Sequence, residues 1–361
     1  MFNKAVFPGK YIQGAGALEE LPALITLFGT KALILASPTV IRTILPACDI
    51  YKKADSALTE TFRGECCEKE LSRLEDVIDR NGIDVMIGMG GGKTIDTAKI
   101  SADRAHIPAI IVPTIASTDA PCSGCAVVYS ENGVHEREYY QRSNPAAVLV
   151  DTAIIAEAPV RFLVAGMGDA LATWFEAESC RRTQSQNACG GLSTMAGLHL
   201  ARLCYDTLLA YGAAAKLACE HHVPTPAFDR IVEANILLSG IGFESSGLAA
   251  AHAIHNGLTI LEETNAYYHG EKVAFGVLAG LHLTGASPEV MKTVYGFCRE
   301  TGLPITLADI GVDNRDRIRL MKAAEKTCAP GADIHHEAGD ITPGKVLHAM
   351  IAADAMGQKT K

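Results

Sequence analysis

Between residues 31 and 112 the chain alternates between two hydrophobic periods. Lys31–Ser37 (KALILAS) is a short, continuous apolar run, the pattern of a strand buried on both faces. Glu68–Arg80 switches to a helical period, with Leu71, Leu74, Val77 and Ile78 on one face. Asp84–Ile87 predicts a second strand, Thr94–Arg104 a helix and Ala109–Val112 a further strand. Strands alternating with helices predict a parallel sheet covered on both faces. Past Asp151 the pattern changes: Ala, Leu, Glu and Lys dominate and β-rich runs nearly vanish. Helical stretches are predicted over Ala153–Cys180, Ser193–Tyr211, Thr225–Gly240, Glu271–Leu283 and Pro288–Thr301. The chain therefore reads as an α/β domain with a parallel sheet, residues 1–155, followed by an all-α domain, residues 156–361. A ligand cleft is expected between the two.

Composition narrows the partners. At 361 residues the chain exceeds what one core usually serves, in keeping with two domains. Its net charge of -9 is offset by no Lys/Arg run, so nucleic acid and an anionic membrane are poor partners. Met1–Lys10 lacks the apolar core of a signal peptide, and no run reaches the roughly 18 apolar residues of a membrane span. The 11 scattered cysteines read as reduced thiols, and the expected compartment is the cytoplasm.

The strand at Asp84–Ile87 runs directly into Gly88-Met89-Gly90-Gly91-Gly92-Lys93-Thr94 and a helix carrying Asp96. Glycines at a strand-to-helix turn let a ligand approach the backbone, and the helix start attracts anions, so a diphosphate fits there. The Walker A loop is excluded, since Ile87 stands where its first glycine belongs. The common dinucleotide fingerprint is excluded too, because Lys93 takes the place of its third glycine. A second polar segment, Thr114-Ile115-Ala116-Ser117-Thr118-Asp119, leaves the next strand where ligand-binding loops of open sheets lie.

The sharpest chemistry lies in the second half. His252 and His255 stand three apart in LAAAHAIHNG, His269 follows, and Asp169 precedes them in GMGDA. Two imidazoles and a carboxylate suit a borderline divalent cation such as zinc with one position left open. Each piece also has a plainer reading: a core histidine pair, a helix end at His269-Gly270, a helix N-cap at Asp169. Cys122-x-x-Cys125 has no second pair to complete a four-thiolate site, and it reads as structural. Cys66-Cys67 and His221-His222 read as surface features, while His335-His336 is left open.

Taken together, GMGGGKTIDTAK (88–99), VPTIASTDAP (112–121), GMGDALATWFEA (166–177), GFESSGLAAAHAIHNG (242–257) and HGEKVAFG (269–276) resemble the glycerol dehydrogenase branch of the iron-containing alcohol dehydrogenase superfamily. The resemblance implies that superfamily's dehydroquinate synthase-like fold, with a Rossmann-like nucleotide domain. It implies metal ligands at Asp169, His252 and His269, with His255 beside the site. Iron-binding relatives carry a further histidine four residues after the aspartate; Thr173 stands there, as in the zinc members. The diphosphate of NAD would rest on Gly90, Gly91, Gly92, Lys93 and Thr94, with Asp96 close by. Thr114, Ser117, Ser123, Cys125 and Tyr129 would line the nicotinamide side, and Asp119 would hold a substrate hydroxyl.

The implied reaction is zinc-dependent oxidation of glycerol or a related 1,2-diol to the hydroxyketone, with hydride passing to the nicotinamide, in a homo-oligomer. One departure concerns the cofactor. Ser37 occupies the position where the family has an aspartate at the adenosine ribose, and Arg42 follows, so NADP stands beside NAD. A hydroxyacid, sugar or cyclitol derivative is the alternative substrate, and a non-catalytic nucleotide-binding relative is the alternative from another class.

Overall fold

The computed structural model describes residues 1–47, 57–313 and 316–361. The first half holds strands β1 (Tyr11–Gly14), β2 (Ala32–Ala36), β3 (Ala57–Thr61), β4 (Val85–Gly90), β5 (Ala109–Pro113), β6 (Cys125–Tyr129), β7 (His135–Tyr140) and β8 (Ala147–Asp151). Among them lie helices α1 (Leu21–Phe28), α2 (Glu68–Asn81) and α3 (Gly92–Ala105). The second half is helical: α4 (Thr152–Ala156), α5 (Val160–Thr183), α6 (Met195–Glu220), α7 (Pro226–Glu233), α8 (Ser239–Ser246), α9 (Ala250–Leu258), α10 (His269–Thr284), α11 (Pro288–Thr301), α12 (Arg317–Thr327) and α13 (Pro343–Thr360).

Six strands form one parallel sheet in the order β1-β8-β5-β4-β2-β3. Strand alternation explains its continuous apolar runs. Leu33 and Leu35 of β2, Met86 of β4, Ile111 of β5 and Val148 of β8 pack toward α2, α3 and the helical half. Ile34, Ile87, Ile110 and Leu149 point to the other face, under α1 and Val40. Val40–Leu45, which follow β2, thus cover one face and α3 after β4 covers the other. Neighbouring strands that send their connections to opposite faces open a crevice at their carboxyl ends.

The strands expected at 31–37, 84–87 and 109–112 are β2, β4 and β5. Their neighbours β1, β3 and β8, and the antiparallel hairpin β6–β7, lie outside the predicted runs. The hairpin's β7 reads HEREYY and is largely exposed, so it carries no hydrophobic signal. The single helix expected over Ala153–Cys180 is two, α4 and α5. Pro159 disfavours a helical Ala158 before it, and α5 starts immediately after the proline. The helix expected at Ser193–Tyr211 begins after its Thr194 cap and runs on to Glu220. That at Thr225–Gly240 continues through a π-helical turn, Ala234–Leu238, into α8.

The surface reading of Cys66-Cys67 is corrected: both are buried. Cys66 forms a small core with Leu71, Ile100, Ala126 and Val128, sealing the hairpin onto α2 and α3. His221 and His222 are exposed.

Candidate active site

Asp169 lies in mid-helix on α5, 1% exposed, and so does not cap a helix. His252 stands in the first turn of α9 and His269 opens α10. These helices cross closely because glycines sit at the crossings. A Cβ on Gly270 would lie 1.8 Å from the Ala165 carbonyl oxygen, and one on Gly168 would lie 2.3 Å from that of Gly270. Only hydrogen at both positions lets α10 approach α5 closely enough to set His269 Nε2 3.1 Å from Asp169 Oδ1. His252 Nε2 lies 3.4 Å from the same oxygen.

One ligand atom from each of the three residues falls within 4.8 Å of the others. Asp169 Oδ1 is buried yet makes no aligned hydrogen bond, although two imidazole nitrogens stand beside it. Such lone pairs converge on a common point instead of pairing with one another, and the donor set fits a divalent cation. Burial opposes an ionised Asp169, but His269 and His252 hold its carboxyl well below the usual range. Burial likewise opposes a charged His252, which Glu176 and Asp169 raise well above the ordinary imidazole value. His255 packs edge-on against His269 with ring centroids 4.3 Å apart. Burial, then the neighbouring charge of His269, lowers it well below the ordinary value, which keeps it neutral beside the cluster.

Asp119 is brought to the cluster by its loop. Its backbone N–H donates to Asp169 Oδ2 at 3.2 Å, and its Oδ2 accepts from Ser239 Oγ at 2.8 Å. Ser239 in turn stands 2.8 Å from Thr173 Oγ1. The hydroxyl of Thr173 therefore belongs to a chain that holds Asp119. Burial, then the charge of Asp169, pushes the Asp119 carboxyl well above the usual range. The loop itself is fixed from several sides. Asn235 donates to Ala116 O at 3.0 Å, Asn144 donates to Cys122 O at 3.0 Å, and Glu244 accepts from Gly124 N at 2.8 Å. The buried Lys99 ammonium donates to the carbonyls of Ala120 (2.8 Å), Ser123 (3.3 Å) and Cys125.

On the sheet side, the turn Gly90–Thr94 joins β4 to α3, and Thr114 N donates to Gly90 O at 3.1 Å, tying this turn to the end of β5. Lys93 lies over the Tyr129 ring, 5.0 Å from its centroid, and pairs with Glu65. Gly90, Gly91, Gly92, Lys93, Thr94, Thr114 and Tyr129 thus gather at one end of the sheet. Ser117 is half-buried on the loop that leaves β5. Other expected residues are engaged within the chain. Asp96 is buried, pairs with Lys99 at 3.2 Å and accepts from Val127 N at 3.0 Å, so its carboxylate anchors β6 to α3. Ser123 is 1% exposed and its hydroxyl bonds back to carbonyls of its own loop. Burial pushes the Cys125 thiol up to about 12, and it raises that of Cys122 as well, which favours the neutral thiol at both positions.

Sequence reasoning missed Glu176, Lys99, Asn235, Ser239 and Glu244. A buried polar side chain with a long-range partner leaves no periodic trace. For Glu176 alone a signal existed: it lies seven residues after Asp169, on the same helical face.

Residues 8–152 match the family described as iron-containing alcohol dehydrogenase. The chain is 50% identical to a glycerol dehydrogenase of Thermotoga maritima, across 100% of this chain and 99% of that one. It is 42% identical to a glycolaldehyde reductase of Halobacterium salinarum, across 98% of each. A solved structure of a probable glycerol dehydrogenase from Sinorhizobium meliloti 1021 superposes with a TM-score of 0.93 at 44% identity, covering 99% of both chains. An N-terminal parallel α/β sheet, a helical second half and full-length likeness to these relatives place the chain in the glycerol dehydrogenase branch of the iron-containing alcohol dehydrogenase family.

Proposed function

We propose that the chain is a metal-dependent polyol dehydrogenase, oxidising glycerol or a related 1,2-diol to the hydroxyketone and passing hydride to a nicotinamide cofactor. The observation that carries the reading is the convergence of Asp169, His252 and His269 within 4.8 Å, with the Asp119 backbone bonded to the same carboxylate. Asp169, His252 and His269 would hold the cation, and two imidazoles with one carboxylate favour zinc. A cation there would supply positive charge that lowers the pKa of the substrate hydroxyl, and the nicotinamide would supply the hydride acceptor.

The chain's own residues do the positioning. Asp119 accepts a hydrogen bond from the neighbouring hydroxyl of the diol, while Ser239 and Thr173 hold its other oxygen. Lys99, Asn235 and Glu244 keep that loop from yielding as substrate binds. Gly90, Gly91, Gly92, Lys93 and Thr94 form the diphosphate cradle, and Thr114, Ser117 and Tyr129 border the nicotinamide side. Asp96, Ser123 and Cys125 shape that wall from behind. We place the division between nucleotide-binding and metal-binding domains at residues 155/156, after the last strand of the sheet ends at Asp151. The proposed compartment is the cytoplasm, whose reducing conditions suit the free cysteines. A homo-oligomer rests on the resemblance alone.

NAD is the first cofactor, and the end of β2 gives NADP a place beside it. Ser37 N donates to Met89 O at 3.1 Å, so Ser37 borders the β4 turn, and its side chain is a neutral hydroxyl that does not repel a 2′-phosphate. Arg42 is exposed one helical turn on. Purified protein should oxidise glycerol and 1,2-propanediol far faster than lactate or glycerol 3-phosphate; a preference for either of the last two would contradict the polyol reading. Ser37→Asp should shift the ratio of NADP to NAD rates toward NAD, and an unchanged ratio would remove Ser37 from cofactor choice.

A further inference from the structure

The helix that carries His252 begins without a capping side chain, because Ala249 occupies its N-cap. Free N–H groups at a buried helix start need acceptors. Two carboxylates from distant parts of the chain supply them. Glu176 of α5, 1% exposed, accepts from the backbone N–H groups of Ala249 and His252 with Oε1, each at 2.9 Å. Its Oε2 lies 2.6 Å from His252 Nδ1. Glu337 accepts from Ala250 N at 3.3 Å and from Ser179 Oγ at 2.7 Å.

The division of labour between the two oxygens of Glu176 matters. Oε1 is taken up by two backbone donors, and Oε2 faces the imidazole. A carboxylate only accepts, so His252 must offer it Nδ1–H, and with a cation in place the Nε2 lone pair would be the one turned toward it, between Asp169 and His269. Asp169, Thr173 and Glu176 lie on one face of α5, so a single helix supplies a donor to the cluster and the group that aims a second donor at it. We propose that Glu176 is the positioning residue that sets the orientation and tautomer of His252, and through it the affinity of the cluster for its cation. The inference rests on reading Asp169, His252 and His269 as a metal site.

Glu176→Gln tests it with almost no change in shape. Glutamine has one oxygen where glutamate has two. If that oxygen keeps the Ala249 and His252 N–H groups, the amide NH2 faces Nδ1. Nδ1 must then accept, and the proton moves to Nε2, where a cation would sit. If the amide is reversed, its NH2 meets two backbone donors. The first arrangement is the favoured one, because the second sets NH2 against two donors, so the affinity for zinc, read by competition with a chromogenic chelator, should fall about 10–100-fold, the usual effect of losing such a partner. Wild-type protein binding one zinc per chain while Glu176→Gln binds it as tightly would overturn the proposal and leave the metal site standing. Wild-type protein that binds no zinc would overturn the metal reading itself, and the proposal with it. Should the variant not fold, 15N-histidine NMR of the zinc-loaded wild type decides, with His252→Asn used for assignment. The expected signature is protonated Nδ1 and coordinated Nε2 on His252; coordination through Nδ1 would overturn the proposal.

Discussion

Gly270→Ala adds one methyl group, and the structure says where it must go. The new Cβ would stand 1.8 Å from the Ala165 carbonyl oxygen, whereas ordinary contact begins near 3.4 Å. The crossing of α5 and α10 must therefore open by about 1.6 Å, from 1.8 Å to 3.4 Å, because the obstruction is backbone and cannot rotate away. Overpacking of this kind costs about 1–3 kcal/mol in stability. The cost to the site is larger. His269 immediately precedes the substituted residue, and metal ligands tolerate errors of only about 0.2 Å. Zinc affinity should fall by at least about 100-fold, the upper end of what loss of an outer-sphere partner does. Chelator competition measures the affinity, and chemical unfolding measures the stability. Gly296→Ala is the control, since a Cβ there meets nothing within 4 Å on α11, and it should gain about 0.5–1 kcal/mol. Wild-type zinc affinity in Gly270→Ala would refute the claim that this helix crossing places His269.

Further outcomes follow from the loop and its supports. Asp119→Asn should lower kcat/KM for glycerol roughly 2–10-fold, the equivalent of one hydrogen bond of about 0.5–1.5 kcal/mol, and leave 1-propanol nearly unchanged; equal losses for both alcohols would remove Asp119 from the second hydroxyl. Lys99→Met strands the buried carboxylate of Asp96 and frees the loop carbonyls, so chemical unfolding should show a loss of about 3–5 kcal/mol; a loss below about 1 kcal/mol would contradict the anchoring role. With its thiol pushed up to about 12, Cys125 is protonated at neutral pH, and its thiolate fraction grows about tenfold per pH unit below that value. Alkylation at pH 8 should run about a thousandfold slower than for an ordinary thiol and quicken as pH rises, with zinc making no difference; mass spectrometry reads the labelling, and protection by zinc would return Cys122 and Cys125 to the list of ligands.

Fold and site were legible to different depths. β2, β4 and β5 are buried on both faces, so their runs are continuously apolar and stand out. β3, an edge strand with no fully buried position, and the exposed β7 carry little such signal. Helices were recognisable by period, but their ends were set by local chemistry, as where Pro159 divides α4 from α5. Asp169, His252, His255 and His269 stood out as residues able to bind a metal, but spacing did not choose among them; the family resemblance did, and the structure brings one ligand atom each of Asp169, His252 and His269 within 4.8 Å. The groups that hold His252 and the Asp119 loop were not legible: Glu176 and Lys99 act through partners 76 and 21 to 26 residues away. Asp96 shows another side of this. Its place beside the glycine turn suggested a cofactor contact, yet the structure gives its carboxylate to Lys99 and the Val127 N–H.

The most direct test of the central claim is glycerol-dependent reduction of NAD and NADP by the purified protein, measured before chelation, after it, and after zinc is restored. The account predicts activity that disappears with the metal and returns with zinc, and that neither His252→Ala nor His269→Ala regains. Full activity in protein shown by elemental analysis to hold no metal would contradict it.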